Sequence, residues 1–187
     1  MSIKSINNKS RGFTLAETLV AIFILMFSLL GPLALSIYAI RASSVSKNEI
    51  MAYNLAQEAM EYVRNIRDAN FLTGAAWNMG FINNCDPPNN VCTVDVFSGG
   101  LATCPSGVCA PLTYDPSAGA NAGRYSQSTA APAVNSIFTR MVTVQMGDDY
   151  DTPADGPDEM TASTTVKWRE KGYTRSISLE TRLFRWK

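Results

Sequence analysis

The chain has 187 residues, of which 46% are apolar and 17% are charged, and its 16 basic side chains balance its 16 acidic ones. The apolar fraction is large enough for a folded core and excludes wholesale disorder, while a net charge of zero gives no support to nucleic-acid binding through bulk electrostatics. No histidine occurs in the sequence, which excludes Ser-His-Asp and Cys-His catalysis and His-ligated zinc.

The N-terminal 40 residues combine a short basic segment with a long apolar one. Residues 1–12 carry three basic side chains and no acid, and the 23 residues from Thr18 to Ile40 carry no charge. As a helix those residues would extend ~34 Å, against a bilayer hydrocarbon core of ~30 Å. An ordinary secretory signal has an apolar core of roughly 7–15 residues, which is shorter. Because basic residues precede the span, the sequence predicts a single-pass membrane protein with its N-terminus in the cytoplasm and the rest outside.

Glu17 is a carboxylate at the start of this apolar segment, where a charge is costly. One interpretation is local: Thr14 and Glu17 fit a capping box, and an acid in the first turn suits the positive end of the helix dipole. The other is that Glu17 needs a positive partner from another chain, such as a newly created α-amino group at Phe13. The two interpretations are compatible.

The stretch KSRG followed by FTLAETLVA, residues 9–21, resembles the class III leader and cleavage site of type IV pilins and type II secretion pseudopilins. The resemblance implies that a prepilin peptidase cuts between Gly12 and Phe13 on the cytoplasmic face and that Phe13 is then N-methylated. It also implies that Glu17 pairs with the Phe13 amine of an adjacent subunit during assembly on an inner-membrane platform. Loss of residues 1–12 removes three positive charges and would leave a formal net charge of −3.

One helix is predicted from about Phe13 to about Ala69. Its first part, 13–40, would cross the membrane and later lie in the filament core, although Gly31-Pro32 predicts a kink or a locally melted stretch. Its second part, 41–72, is amphipathic and would pack under a head domain. The predicted apolar stripe comprises Ile50, Tyr53, Ala56, Met60, Val63 and Ile66, with Glu58, Glu61, Arg64, Arg67 and Asp68 on the other side.

Residues 73–135 are rich in Gly, Asn, Pro and Ser and predict a variable loop region that contains all four cysteines. The spacings fit metal binding poorly, and a location outside the cytoplasm favours disulfides. Two local bridges, Cys85–Cys92 and Cys104–Cys109, are favoured over the two crossed pairings, which the sequence leaves open.

Residues 136–187 predict an antiparallel sheet. The segments Ile137–Gly147, Met160–Glu170 and Tyr173–Trp186 have strand character, and the dipeptide Lys171-Gly172 predicts a tight hairpin turn between the last two. The predicted fold is therefore α+β, with a long N-terminal helix packed against a C-terminal antiparallel sheet. This arrangement resembles the head of minor pilins and minor pseudopilins of the pilus modification-protein type.

The acidic segment 148–159 lies between the first two of these strands. Carboxylates attract Ca²⁺, and Asp149, Asp151 and Asp155 would be its ligands, but the segment does not follow the EF-hand pattern. A solvated acidic loop is the favoured interpretation, and no other cofactor is expected.

The predicted function is that of a structural minor subunit of a type IV pilus or a type II secretion-like filament, and not of an enzyme. The alternatives are a filament-tip adhesin, a DNA-capturing subunit or, less favoured, a membrane-anchored extracytoplasmic binding protein. A basic–aromatic patch would serve DNA capture, although edge-strand solvation is the stronger interpretation of it. The patch comprises Trp168, Arg169, Lys171 and Tyr173.

Overall fold

This computed structural model of the protein describes residues 12–81, 84–87, 90–97, 99–127, 133–147 and 157–185. The chain divides into two compact units, 1–46 and 47–187. The first unit is helical where it is described, and the second is α+β, as predicted. The helix α1, Leu15–Leu72, contributes to both units, and by length and composition it is the one helix among the described residues that could cross a membrane.

The second unit contains an antiparallel five-stranded sheet in the order β2-β1-β6-β7-β8. Its strands are β1 (Cys92–Asp95), β2 (Gly100–Thr103), β6 (Phe138–Met146), β7 (Glu159–Glu170) and β8 (Tyr173–Phe184). A small second sheet has the order β4-β3-β5 and consists of β3 (Thr113–Tyr114), β4 (Tyr125–Ser126) and β5 (Val134–Asn135). A 3₁₀ turn lies at Pro105–Gly107.

The three long strands lie where the sequence predicted them. Strand β7 pairs with β8 without interruption from Glu159 opposite Phe184 to Glu170 opposite Tyr173. Lys171 and Gly172 form the two-residue turn between them with φ of 50° and 89°. Two positive φ values give the local twist that a tight hairpin needs, and glycine adopts such a conformation without steric cost.

The region 73–135, predicted as a variable loop region, contains the five short strands β1 to β5. Strand β1 lies between β2 and β6 and joins β6 through the pair Cys92–Val142. Short strands interrupted by glycine have too little alternation to be recognised from the sequence. Their place in the sheet is decided by partners that lie far away along the chain.

The helix buries part of the predicted stripe: Ala56, Met60 and Val63 are buried, and Ile66 is partly buried against the core. Its buried residues are Ala52, Leu55, Ala56, Ala59, Met60, Val63, Arg67 and Asn70. Ile50 and Tyr53, which were predicted to face the core, are instead 62% and 44% exposed. Arg67, which was predicted to lie on the polar side, is buried as well, so the buried face is rotated relative to the predicted one.

Two buried clusters form the core of the second unit. The larger one joins the middle of α1 to strands β1, β6 and β7 and includes Trp77 and Phe81. The smaller one surrounds Leu112, Phe138 and Trp168. Of the β8 residues expected to face the helix, Leu183 is buried, and Ile177 and Leu179 are partly buried against these clusters.

Candidate functional site: the N-terminal segment and the head

The first turn of α1 shows how Glu17 is placed. Thr14 precedes the helix, and its Oγ1 accepts a hydrogen bond from the backbone N–H of Glu17 at 3.3 Å. This is the N-terminal half of the predicted capping box, and it satisfies one of the free amide groups of the first turn. The carboxylate of Glu17 makes no ion pair within the described residues. The local interpretation therefore accounts for the helix start and leaves the charge of Glu17 without an ionic partner in the part of the chain that the structure describes.

Gly12 and Phe13 lie just before the helix. Phe13 is 76% exposed, and a Cβ built at Gly12 meets nothing within 4 Å. The fold of the free subunit thus imposes no requirement for glycine at this position. Any such requirement must come from a molecule that recognises the junction between the two residues.

The apolar part of α1 packs against none of the other described residues. Large apolar side chains from Leu15 to Ile40 are exposed, and most of them are 50% to 75% exposed. A monomeric soluble protein does not leave such a surface in water. The surface requires lipid or other protein chains around it.

Pro32 lies inside this part of the helix without ending it. The helix is continuous from Leu15 to Leu72, so the locally melted stretch that the proline predicted is not seen. The Oγ of Ser36 donates to the Pro32 carbonyl at 2.8 Å. This bond is made to the carbonyl of Pro32 itself, whereas the carbonyl that loses its helical donor to the proline is that of Ser28, four residues earlier.

The four cysteines form two local disulfides in the second unit, 47–187, which we call the head. Cys85 is joined to Cys92, and Cys104 to Cys109, which is the pairing that the sequence favoured, and no free cysteine remains. The Cys85 carbonyl accepts a hydrogen bond from Val144 N at 2.8 Å. The first disulfide therefore ties the loop before β1 to strand β6 in the middle of the sheet.

Arg140 is a buried side chain with a structural role that the sequence did not predict. It lies on the buried face of β6 with 1% of its side chain exposed. Its Nη1 donates to the Leu55 carbonyl and to Glu58 Oε2, each at 3.0 Å, and its Nη2 donates to the Val94 carbonyl at 2.6 Å. Burial lowers the pKa of Arg140, and the nearby carboxylate of Glu58 partly offsets this effect. One guanidinium thus connects α1, β6 and β1.

The predicted basic–aromatic patch is not present as a unit. Trp168 is only 4% exposed and packs in the smaller core cluster, with its ring centroid 6.2 Å from that of Phe138. Arg169, Lys171 and Tyr173 are exposed on or beside the β7–β8 turn. The prediction was wrong about Trp168 because a tryptophan near a strand end alternates inward with Val166 and Thr164.

The proposed calcium ligands Asp149, Asp151 and Asp155 lie outside the described residues. Within the described ranges, no group of three or more acidic or sulfur-containing side chains could hold a metal ion. The calcium interpretation therefore stays a prediction.

The comparisons with known proteins bear on the N-terminal segment alone. Neither a curated protein nor a solved structure matches the chain. Residues 7–31 match the family model described as the prokaryotic N-terminal methylation motif. This segment contains Gly12, Phe13 and Glu17 and the exposed apolar start of α1. The motif implies processing by a prepilin peptidase and assembly with other pilin subunits, and the apolar helix is consistent with anchoring in an inner membrane. The chain carries the prokaryotic N-terminal methylation motif, which is the leader signature of type IV pilins and pseudopilins, on a long helix that precedes an antiparallel sheet.

Proposed function

We propose that the chain is a minor subunit, of the pilin or pseudopilin type, of a type IV pilus or a type II secretion-like filament. The observation that carries the proposal is the methylation motif at 7–31, at the start of a helix whose first part has exposed apolar side chains, with one carboxylate that makes no ion pair within the described residues. Other subunits would supply partners for both, because the helices of neighbouring chains would pack in the filament core.

In this proposal the precursor inserts in the inner membrane with its leader in the cytoplasm and its head outside. Both disulfides lie in the second unit, and disulfides persist in an oxidising compartment outside the cytoplasm. Prepilin peptidase removes residues 1–12, and Phe13 becomes the methylated N-terminus.

Glu17 acts after cleavage. The new amine of Phe13 on a neighbouring subunit would face the Glu17 carboxylate when the helix leaves lipid for the filament core. In that low-dielectric environment an unpaired carboxylate is costly, and a paired one is tolerated. The carboxylate thus favours the register in which the next subunit enters the filament.

The proposal separates a processing step from an assembly step, and two substitutions test them. Gly12→Val should leave an uncleaved membrane protein, because a Cβ obstructs close approach of the peptidase to the backbone. Twelve of 187 residues in a chain of 20.4 kDa correspond to about 1.3 kDa on a gel. Gly31→Val is the matched control, since a Cβ there also meets nothing within 4 Å, and it should be cleaved normally.

Glu17→Ala should still be cleaved but should enter filaments poorly when it competes with wild type. Glu17→Gln keeps the size and polarity and should fail in the same way, since the charge is what pairs with the amine. Glu49→Ala removes an exposed acid on the same helix and should assemble normally. Normal processing of Gly12→Val, or equal incorporation of Glu17→Ala and wild type, contradicts the role proposed for the residue concerned.

We propose a minor rather than a major role on the likeness of the head to that of minor subunits. Quantitative mass spectrometry of isolated filaments should find this chain at a small fraction of the major subunit. Immunogold labelling would then distinguish a tip position from scattered positions along the shaft. A stoichiometry equal to that of the most abundant subunit contradicts the minor role.

The chain acts as a structural part and not as an enzyme in this proposal. The sequence has no histidine, and Ser106, between Pro105 and Gly107, lacks the surroundings of a nucleophile elbow. DNA capture loses its support because Trp168 is buried. The adhesin alternative keeps one observation in its favour, a cavity in the head.

A further inference from the structure

The head contains a cavity between the first part of its helix and the small sheet. Its volume is about 270 Å³. It is lined by Lys47, Asn48, Met51, Tyr114, Tyr125, Val134, Asn135, Ser136, Ile137 and Phe138. The lining therefore comes from α1, from all three strands of the small sheet and from the start of β6.

Aromatic side chains form much of this lining. The ring centroids of Tyr114 and Tyr125 are 5.5 Å apart, and those of Tyr125 and Phe138 are 5.9 Å apart. Phe138 is buried and continues the series to Trp168 in the core. Tyr125 is thus packed against the smaller core cluster, and Tyr114 packs in turn against Tyr125.

Several polar groups of the lining have unused hydrogen-bonding capacity. Asn48 Nδ2 is engaged with Glu170 Oε1 at 3.4 Å, and Ser136 Oγ with the backbone of Phe138. In contrast, the side chains of Lys47 and Asn135 and the phenol groups of Tyr114 and Tyr125 make no hydrogen bond or ion pair within the described residues. An ammonium, an amide and two hydroxyl groups therefore line one cavity with aromatic walls.

The size and chemistry of the cavity select a class of ligand. At ~30 Å³ per water molecule in the liquid, the volume corresponds to about nine waters, which is the scale of one six-membered sugar ring. Aromatic faces carry partial negative charge and attract the polarised C–H bonds of a sugar, while amide and hydroxyl groups orient its hydroxyls. Lys47 is the only charged residue among the described residues of the lining, so a carboxylate on the sugar would gain a charge-assisted hydrogen bond.

We propose that this cavity binds one pyranose unit that carries a carboxylate, such as a uronic acid at the end of a surface polysaccharide. Tyr114 and Tyr125 would contact the ring, Asn135 would bind its hydroxyl groups, and Lys47 would bind the carboxylate. The site goes beyond the role of a filament subunit and does not depend on it, since all of its residues belong to the second unit.

The test uses the purified full-length chain in zwitterionic detergent micelles. Methyl glycosides of glucuronic acid, galacturonic acid, glucose and N-acetylglucosamine are titrated by saturation-transfer NMR and calorimetry. The uronates should bind with dissociation constants of about 1 mM, the affinity of a small polar contact set, and more weakly as salt is raised. The neutral sugars should bind at least roughly fivefold more weakly, because they lack the charge-assisted bond.

Variants assign the contributions of the side chains. Lys47→Met should abolish the preference for uronates and leave the neutral sugars unchanged, whereas Asn135→Ala and Tyr114→Ala should weaken every sugar. Lys171→Met and Tyr173→Ala are matched controls, because both residues are exposed at the β7–β8 turn outside the cavity, and they should bind as wild type. Unfolding curves equal to wild type establish that each variant is folded.

Two results overturn the proposal. One is no sugar binding at tens of millimolar ligand, and the other is binding that Asn135→Ala and Tyr114→Ala leave as strong as the controls do. If the first result comes with efficient cross-linking of Asn135→Cys to a second chain in isolated filaments, the cavity is a subunit contact. Failure of the sugar test leaves the cleavage and assembly results of Gly12 and Glu17 unaffected, so the two proposals fail independently.

Discussion

Replacing Arg140 tests how the helix, the central strand and the disulfide-bearing strand are held together. The guanidinium is almost fully buried and donates to two backbone carbonyls and to Glu58. Arg140→Met keeps an unbranched apolar stem of partial length and removes all three hydrogen bonds. The Leu55 carbonyl lies inside the helix and still accepts a hydrogen bond from the backbone N–H four residues later. The Val94 carbonyl, in contrast, loses the hydrogen bond that Arg140 donates to it.

The size of the expected loss in the free energy of unfolding follows from these contacts. Leaving a buried acceptor unsatisfied costs ~1–3 kcal/mol, and breaking a buried ion pair by removing one partner costs ~3–5 kcal/mol. Glu58 has a side chain that is 31% exposed, so water can solvate its carboxylate after the change, and the loss of the ion pair costs much less than that range, which applies to partners left buried. We expect Arg140→Met to lower the free energy of unfolding by about 3 kcal/mol, of which Val94 and the lost packing supply most.

The assay is urea unfolding of the full-length chain in micelles, followed by near-ultraviolet circular dichroism. Arg64→Met is the matched control, because its ion pair with Glu61 joins side chains that are 40% and 68% exposed, and such pairs contribute little. The other hydrogen bond of Arg64, to Thr181 Oγ1 on β8, is long at 3.3 Å. A double-mutant cycle with Glu58→Gln should show coupling of about 0.5–3 kcal/mol between Arg140 and Glu58. If Arg140→Met costs no more than Arg64→Met, the buried guanidinium does not connect these elements.

Three further predictions concern the head. Replacing Cys85 and Cys92 together by serine should lower the free energy of unfolding by about 2–3 kcal/mol, from the entropy of a short closed loop, and dithiothreitol should then destabilise the variant less than it does wild type. At the β7–β8 turn both φ values are positive, a conformation that asparagine and glycine tolerate and alanine does not. Lys171→Asn should therefore raise the free energy of unfolding by about 1 kcal/mol and Gly172→Ala should lower it by about as much, which shifts the thermal midpoints in opposite directions. Equal midpoints for the two variants contradict the assigned turn. Burial, with a smaller effect of Tyr114, raises the pKa of Tyr125 above 10.0, so the folded state holds the phenol proton more tightly than the unfolded state. The free energy of unfolding should therefore be unaffected below pH 10 and should fall as pH rises through the pKa of the folded state. Unfolding curves measured over a pH series should show that Tyr125→Phe removes this part of the alkaline loss of stability.

Local features of the sequence were sufficient to predict the N-terminal segment and the three long strands. Gly12, Phe13 and Glu17 are recognisable because they lie within a few residues of one another ahead of an apolar run. Strands β6, β7 and β8 alternate clearly, and Lys171-Gly172 marks their turn, since each of these signals depends on neighbouring residues only.

The tertiary structure decided which side chains are buried. Arg140 reads as a solvated cation in a strand, and it is buried because carbonyls from residues 55 and 94 meet it far from its own place in the chain. Trp168 reads as part of an exposed basic patch and is instead packed on Phe138. The desolvation of a charge and the packing of a ring are settled by partners distant in sequence, whereas hydrophobic periodicity reports only which residues share a face.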